Sequence, residues 1–402
     1  MKATKLFLEF FKSERSGGII LVFCAIASLL MANVFVGQDF IDFWHGKAGF
    51  EAGPVKLRLS LEHWINDGLM AIFFLLIGLE IERELYNGEL SSVRNAILPL
   101  AAAIGGMALP ALIHFILNRD TDFQNGFGIP MATDIAFALG ILSMVGKRVP
   151  LALKVFLTAL AIIDDLGAIL VIAVFYSNDL QTTWLFFALG IFVLLLFLNK
   201  LRVHRLLPYL IGGLLMWYCM LQSGVHATIT GVLLAFTIPF TDGKEKSPSY
   251  RLQHFLHIPV SFIILPLFAI ANTGIILDAD SARSLTNRNS LGIIGGLIFG
   301  KPIGILFFCF LTIKLRIARM PENVNWLQLA GAGVLAGIGF TMSIFITLLA
   351  FNDPLSVQES KIAILVASLT AGIAGYLMVK RATRNTVITL PEVIEEKSEQ
   401  VY

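Results

Sequence analysis

Long apolar runs separated by short polar segments constrain this sequence more than any other feature. A run of about 20 apolar residues is long enough to cross a membrane as an α-helix. Of the 402 residues, 56% are hydrophobic and only 14% are charged, and the mean hydropathy is +0.79. These values predict an all-α polytopic membrane protein with about 12 transmembrane helices. The predicted spans lie at about 17–35, 60–85, 95–117, 126–146, 151–176, 182–199, 205–221, 223–240, 254–277, 290–313, 327–350 and 357–380.

Two of the predicted helices contain residues that interrupt a helix at membrane depth. Span four carries Pro130, Thr133 and Asp134, and span eleven carries four glycines within 331–339. Proline breaks the helical hydrogen-bond ladder, and each glycine costs about 1 kcal/mol in a helix. Close helix packing through small residues is the alternative explanation for span eleven. We predict that spans four and eleven are discontinuous.

The two discontinuous helices occupy the middle position of two groups of three spans. Spans 3–5 cover 95–176 and spans 10–12 cover 290–380, and the two groups start from opposite sides of the membrane. Interrupted helices at matching positions of an inverted-topology repeat indicate the binding site of a secondary transporter. We therefore predict an inverted repeat in which spans four and eleven cross.

The distribution of positive charge predicts the orientation of the chain. The terminal segments and even-numbered loops hold 22 Lys and Arg, whereas the odd-numbered loops hold 7. Since Lys and Arg accumulate on the cytoplasmic side, both termini are expected in the cytoplasm. Residues 1–384 are predicted to form one transmembrane domain and 385–402 a disordered, acidic cytoplasmic tail. The long external loop 36–58 is expected to form a short hairpin with a surface or subunit-contact role.

Four charged residues lie deep within the predicted spans: Asp134, Asp164, Asp165 and Lys301. Each ionised Asp at the centre of a membrane helix costs roughly 2.5–3.5 kcal/mol, so such carboxylates usually mark an ion or proton path. The alternative is an internally paired structural site. Neighbouring residues on a helix point about 100° apart, so Asp164 and Asp165 face different partners. One of them is expected to meet Lys301, while Asp134 and Lys301 have the charges needed to offset the ends of broken helices.

Composition and cysteine placement exclude several other classes of protein. A formal net charge of +2 does not provide the basic surface that nucleic-acid binding requires. Cys24, Cys219 and Cys309 lie far apart in apolar spans, which is typical of buried hydrophobic residues and not of disulfides or zinc ligands. We expect neither a resident cofactor nor a nucleic-acid partner.

Five segments together resemble the NhaA-type bacterial sodium/proton antiporters, and the resemblance covers nearly the whole chain except the tail. They are Ala132-Thr133-Asp134-Ile135-Ala136-Phe137-Ala138, Ala161-Ile162-Ile163-Asp164-Asp165-Leu166-Gly167-Ala168, Ser223-Gly224-Val225-His226-Ala227-Thr228, Gly300-Lys301-Pro302 and Gly337-Ile338-Gly339-Phe340-Thr341-Met342-Ser343-Ile344-Phe345. The resemblance implies that Asp164 and Asp165 bind Na⁺ and protons. It also implies that Thr133, Asp134 and Lys301 belong to the assembly of broken helices.

The same resemblance implies a set of residues that respond to pH. These residues are Glu80, Glu82, Arg83, Glu84, His226, Arg251, His254 and His257. The chain departs from its better-studied relatives where Glu82 replaces a basic residue, Gln253 replaces an acid and Tyr250 replaces an expected cation. The pH at which the protein becomes active is therefore expected to be shifted.

The residues and the resemblance together predict a transporter and not an enzyme. We expect a secondary active antiporter in a bacterial inner membrane that exports Na⁺ or Li⁺ in exchange for protons, is electrogenic and is activated at alkaline pH. Its partners would be Na⁺, Li⁺, H⁺, the lipid bilayer and a second copy of the chain bound through 36–58. An ion-coupled symporter for an organic solute is the alternative transporter. An intramembrane aspartyl protease is a further alternative, although the Gly-x-Gly-Asp and Tyr-Asp motifs of that class are missing from the sequence.

Overall fold

The structure, a computed structural model, describes residues 2–52, 55–146, 148–176, 180–240 and 247–384. These residues form eighteen α-helices and one two-stranded hairpin. The α-helices are α1 (Lys2–Leu30), α2 (Gln38–His45), α3 (Leu61–His63), α4 (Met70–Asn87), α5 (Val93–Leu117), α6 (Ile135–Val145), α7 (Leu151–Phe175), α8 (Thr182–Lys200), α9 (Leu206–Ser223), α10 (Ile229–Ala235), α11 (Pro248–Pro259), α12 (Leu265–Asn272), α13 (Ala279–Ser284), α14 (Arg288–Gly295), α15 (Lys301–Lys314), α16 (Trp326–Ala336), α17 (Phe340–Ala350) and α18 (Pro354–Ala382). Strands β1 (Lys47–Ala52) and β2 (Val55–Ser60) pair antiparallel, which confirms the hairpin predicted for the loop after the first span.

Several α-helices are joined end to end by wider or tighter helical turns. Wider π-helical turns at Met31–Phe35, Trp64–Leu69, Val260–Ile264 and Gly296–Gly300 extend or connect helices, and a 3-10 helix spans Gln124–Met131. Among the described residues, ten helical stretches are long and apolar enough to cross a membrane, one of them the interrupted stretch Gln124–Val145, and α16 with α17 forms an eleventh, bent one. The predicted all-α polytopic membrane fold is confirmed.

Two of the predicted spans differ from the helices found. The predicted span at 223–240 contains only the seven residues of α10, because the chain forms turns at both of its ends. The ninth span runs over Pro248–Asn272, not over 254–277. Pro248 suits the first turn of a helix, where no backbone N–H is needed. The polar residues between Pro248 and His254 therefore belong to the helix and not to a loop.

The two predicted interruptions lie where the sequence placed them. After the 3-10 helix Gln124–Met131, residues 132–134 are extended, and α6 begins at Ile135 with Asp134 as its N-cap. Residues 337–339 separate α16 from α17, whose axes differ by 43°. Both interrupted helices therefore expose the backbone groups of four helix ends at membrane depth. The predicted relation of spans 3–5 to spans 10–12 as an inverted repeat stays a prediction.

Close packing of α5 against α15 brings Lys301 to these helix ends. A Cβ atom on Gly105 would lie 2.3 Å from the carbonyl oxygen of Gly304, and one on Gly304 would lie 2.0 Å from that of Gly105. Two glycines facing each other let the helix backbones touch, as is typical of membrane helix pairs. Because α15 begins at Lys301, this contact sets the position of the buried amine.

Some of the predictions concern residues outside those that the structure describes. The acidic tail, 385–402, is one such segment, and Lys244 and Lys246 lie in another. The proposed division into a domain of residues 1–384 and a separate tail stays a prediction.

Candidate ion-binding site

Asp164 and Lys301 form a buried ion pair at the centre of the site. The Lys301 Nζ lies 2.5 Å from the Asp164 Oδ2, and the two side chains are 0% and 1% exposed. The same amine donates a hydrogen bond to the carbonyl oxygen of Met131, at the end of the 3-10 helix. The sequence left open which aspartate meets Lys301, and the structure places Asp164 there.

Thr133 joins this ion pair to the second interrupted helix. Its Oγ1 lies 2.7 Å from the Asp164 Oδ2 and 2.9 Å from the carbonyl oxygen of Ala336, the last residue of α16. A hydroxyl carries one proton, so it donates to only one of these two acceptors at a time. Thr133 thus connects the carboxylate to the carbonyl end of α16.

Asp165 completes a pair of adjacent carboxylates that are short of hydrogen-bond donors. Asp165, like Asp164, is 1% exposed. Within the part of the chain that the structure describes, the Oδ1 atoms of both Asp164 and Asp165 are buried and have no hydrogen-bond partner. Buried polar atoms are nearly always paired, so these two oxygens have the capacity to take a proton or a cation. Carboxylate oxygens are hard ligands, which suit hard cations.

Asp134 lies at the opposite, amide-bearing ends of the interrupted helices. Its Oδ1 accepts a hydrogen bond from the N–H of Phe137 at 2.9 Å, in the first turn of α6. Its Oδ2 accepts from the N–H of Thr341 at 3.1 Å and from the Thr341 Oγ1 at 2.5 Å, at the start of α17. The Asp134 N–H also donates to the carbonyl oxygen of Ile338 at 2.7 Å, so the two interruptions touch directly.

The charges therefore match the helix ends that they contact. The negative Asp134 faces the N-termini of α6 and α17, which carry partial positive charge, whereas Lys301 faces a carbonyl at the C-terminus of the 3-10 helix. This arrangement agrees with the charge-compensating roles that were predicted for Asp134 and Lys301, and those roles stay predictions.

Most of the residues predicted to respond to pH lie near the C-terminal end of α4. Glu80 and Glu82 are buried, the Ser249 Oγ donates to the Glu82 Oε2 at 3.1 Å, and Gln253 hydrogen-bonds the Glu80 carboxylate. The remaining members lie on the same two helices: Arg83 pairs with Glu84 at 3.0 Å, His254 stacks on Tyr250, His257 lies near Arg83 and His254, and Arg251 is exposed. The structure thus brings α4 and α11 together around two buried carboxylates.

His226 does not belong to that cluster. It follows α9, and its Nε2 lies 2.7 Å from the carbonyl oxygen of Tyr176, just beyond the end of α7. It also lies near Asp67, thirteen residues before Glu80 along the same membrane span, or about 20 Å. The predicted pH set therefore divides into two separate places.

Several residues of the site were not singled out from the sequence. Thr341 had a signal, since it is a hydroxyl residue directly after the glycines of span eleven. Ser343, whose Oγ donates to the carbonyl oxygen of Ile129 at 2.7 Å, had the same signal. The carbonyl groups of Met131 and Ala336 had none, because every residue carries a carbonyl group.

Comparison with known proteins shows which family the chain resembles. A model of the family described as Na⁺/H⁺ antiporter 1 matches residues 8–379. The chain is 57% identical to a Na⁺/H⁺ antiporter NhaA of Flavobacterium psychrophilum over 96% of this chain and 99% of that protein. It is 58% identical to one of Dechloromonas aromatica (94% and 96% covered) and 47% identical to one of Helicobacter pylori (92% and 94% covered).

These matches cover the interrupted helices, the aspartate pair and the buried lysine together. They make the chain a transporter and not an enzyme, as the sequence predicted. The chain belongs to the Na⁺/H⁺ antiporter 1 family.

Proposed function

We propose that this protein is a secondary active antiporter that exports Na⁺ from the cytoplasm in exchange for protons. The observation that carries the proposal is the pair of buried carboxylates, Asp164 and Asp165, each with one unpartnered oxygen, at the contact between two interrupted helices. The names of the relatives support Na⁺ and H⁺ as the transported ions. Li⁺ is proposed as an alternative substrate, because it is a hard cation of the same charge and prefers the same oxygen ligands.

The carboxylates bind protons or a cation, but not both together. With both aspartates ionised, the two free Oδ1 atoms supply ligands for Na⁺, and the Thr133 hydroxyl oxygen and backbone carbonyls complete the shell. When protons bind to both carboxylates, the attraction for Na⁺ is lost and the cation leaves. Lys301 stays beside Asp164 and donates to the Met131 carbonyl, so the buried amine keeps an acceptor when Asp164 is protonated.

Exchange of two protons for one Na⁺ moves net charge across the membrane. One positive charge leaves and two enter in each cycle, so an inside-negative membrane potential drives Na⁺ out. The potential is worth about 2.3 kcal/mol per charge for each 100 mV. Electrogenic exchange of this kind exports Na⁺ against its own gradient, with protons bound from the outside.

The location proposed for the protein is the inner membrane of a bacterium, with both termini in the cytoplasm. The excess of Lys and Arg in the terminal segments and even-numbered loops supports this orientation. It places the Glu80–Glu84 cluster at the cytoplasmic face, where it is proposed to respond to pH together with α11. His226 then lies near the external face.

A homodimer that forms through the external segment 36–58 is also proposed. A two-stranded hairpin is marginally stable by itself, and the exposed rings of Phe43 and Phe50 lie on this segment. Pairing with the hairpin of a second copy covers such edges and rings.

The inverted repeat of spans 3–5 and 10–12 is likewise proposed as the framework around the ion site.

Transport in everted membrane vesicles tests the proposal. A preformed pH gradient is set up, and Na⁺ or Li⁺ is added at the face that was cytoplasmic in the cell. Na⁺-dependent loss of the gradient is expected for the unaltered protein and not for Asp164→Asn or Asp165→Asn. Asparagine keeps the size of aspartate but provides neither the proton site nor the charged ligand.

Asp120→Asn is the matched control for these two variants. Asp120 is exposed and has a positive φ of 60°, a conformation that asparagine adopts readily. The Asp120→Asn variant should exchange Na⁺ for protons at the normal rate. Near-normal Na⁺-dependent proton flux in either Asp164→Asn or Asp165→Asn would refute the proposed site, and flux driven only by an organic solute would favour the symporter.

A further inference from the structure

Tyr176 is a buried residue at the end of α7 that neither the sequence patterns nor the proposed function uses. It is 4% exposed, and its N–H donates to the carbonyl oxygen of Ile172 at 3.1 Å. Its hydroxyl donates to the carbonyl oxygen of Asn125 at 2.6 Å and accepts from the N–H of Gly128 at 3.2 Å. One side chain thus contacts the 3-10 helix Gln124–Met131 at two points.

The contact with Gly128 depends on the absence of a side chain there. A Cβ atom at position 128 would lie 2.6 Å from the Tyr176 hydroxyl oxygen. The neighbouring ring of Phe127 stacks on the Tyr176 ring, with centroids 6.1 Å apart and planes 26° from parallel. The tyrosine is therefore fitted to this segment by packing as well as by hydrogen bonds.

Side chains from three helical stretches hold the carbonyl groups of the 3-10 helix. Tyr176, after α7, donates to Asn125; Ser343, on α17, donates to Ile129; and Lys301, on α15, donates to Met131. Lys301 also binds Asp164, so it belongs to the ion site itself. Tyr176 holds the opposite end of the same segment.

Residues at two places, on α7 and directly after it, therefore contact both ends of the segment 125–133. Asp164 contacts Thr133 at one end, and Tyr176 contacts Asn125 at the other. Tyr176 lies twelve positions after Asp164 along an α-helix, which covers about 18 Å, and Thr133 lies eight positions after Asn125 along a mostly 3-10 segment, which covers about 16 Å. Because the two lengths are similar, the contacts of Asp164 with Thr133 and of Tyr176 with Asn125 can form together. They fix the position of this segment along α7.

His226 contributes to the same attachment. Its Nε2 lies 2.7 Å from the carbonyl oxygen of Tyr176. A carbonyl oxygen only accepts, so the ring nitrogen is the donor. His226 therefore holds the backbone of the residue whose hydroxyl holds the 3-10 helix.

We propose that Tyr176 is a positioning residue for the ion site. Its hydroxyl fixes the Gln124–Met131 segment against α7, so that Thr133 stays in place beside Asp164 to bind the cation. The reference pKa of a tyrosine side chain is about 10, so the hydroxyl remains protonated and able to donate under moderately alkaline conditions. This inference rests on the proposed antiport of Na⁺ and H⁺.

Tyr176→Phe tests the inference by removing a single oxygen atom. The apparent KM for Na⁺ in everted vesicles, at one alkaline pH, is expected to rise about three- to tenfold, the range for loss of one buried hydrogen bond. KM does not depend on the amount of protein, so a lower membrane content of the variant does not alter the comparison. The maximal rate per molecule should change less than KM.

Tyr209→Phe is the matched control. Tyr209 is 0% exposed, and its hydroxyl also donates to a backbone carbonyl, that of Val203 at 3.0 Å, in the turn that precedes α9. The KM of this variant should remain that of the unaltered protein. An equal rise in both variants would show a general effect of losing a buried tyrosine hydroxyl and would overturn the inference.

Gly128→Ala provides an independent test from the other side of the contact. Its new Cβ displaces the Tyr176 hydroxyl, so the KM for Na⁺ is expected to rise as in Tyr176→Phe. A normal KM in either variant would overturn the positioning role. If the unaltered protein showed no Na⁺-dependent proton flux, the proposed antiport itself would fail, which is a distinct outcome.

Discussion

The buried amine of Lys301 provides the positive charge that faces the carboxylate of Asp164. It binds a carboxylate and a backbone carbonyl at once, and both acceptors are buried with it. Next to it, the Thr133 hydroxyl has two acceptors, Asp164 and Ala336, for a single proton. Protonation of Asp164 at its free Oδ1 removes the charge of the carboxylate and weakens Oδ2 as an acceptor, which favours donation of the Thr133 proton to Ala336. A change in charge at one residue therefore changes the hydrogen bond at a helix end.

Lys301→Ala should destabilise the protein far more than Lys301→Arg. Removing one partner of a buried ion pair leaves an uncompensated charge, which typically costs about 3–5 kcal/mol. Arginine keeps the charge but not the shape. Melting temperatures in detergent measure the difference. Lys314→Ala, at the exposed end of the same helix, should melt close to the unaltered protein, and equal melting of the Lys301→Ala and Lys301→Arg variants would remove Lys301 from this role.

The residues that carry formal charge could be predicted from the sequence, whereas their partners could not. Asp134, Asp164, Asp165 and Lys301 stand out because ionisable groups are expensive in apolar spans. Which aspartate meets Lys301 depends on the rotation of α7 about its axis, which the sequence pattern does not define. The contacts of Met131 and Ala336 use backbone carbonyls, and Tyr176 looks like an ordinary residue at a helix end.

At the scale of whole elements, the site is an arrangement of helix ends. The 3-10 helix and α16 end with carbonyl groups near Lys301 and Thr133, while α6 and α17 begin with N–H groups on Asp134. The interruptions were predictable because proline and glycine are unfavourable within helices. How close the two interruptions lie was not predictable, since it depends on the packing of α5, α15 and α7 around them.

Gly105→Ala should disturb this arrangement from outside the site. The added Cβ would lie 2.3 Å from the Gly304 carbonyl oxygen, so α15 has to move away from α5. Overpacking of this kind typically costs about 1–3 kcal/mol, and the shift displaces Lys301 at the start of α15. We expect a lower melting temperature and a lower rate of Na⁺-dependent proton flux.

Gly190→Ala is the matched control for that substitution. Gly190 lies in the middle of α8, and among the described residues no heavy atom outside the adjoining helix backbone lies within 4 Å of the Cβ position there. Alanine favours a helix over glycine by about 1 kcal/mol, so the melting temperature should stay the same or rise. If Gly105→Ala behaved like Gly190→Ala in both measurements, the contact between α5 and α15 would not be what positions Lys301.

Across the whole molecule, the proposed ion site and the proposed pH-responsive cluster lie in separate places. The cluster joins the end of α4 to the start of α11, and its α11 residues were expected partly in a loop because span nine was predicted about six residues too late. Burial of Glu80 and Glu82 against Ser249 and Gln253 gives this chain a contact built from acids and neutral partners. Control of activity by pH therefore has two candidate origins, competition at Asp164 and Asp165 or titration of the cluster.

The dependence of the pH profile on Na⁺ distinguishes these two origins. If protons and Na⁺ compete for the same carboxylates, a higher Na⁺ concentration requires more protons to displace it, so the profile moves to lower pH. By mass action the shift is about one pH unit for each tenfold rise in Na⁺ if one proton competes, and about half a unit if two compete. Proton flux in everted vesicles over a roughly hundredfold range of Na⁺ measures the shift. Glu82→Gln should show the same slope under competition, whereas a profile of the unaltered protein that ignores Na⁺ would assign pH control to the cluster of Glu80–Glu84.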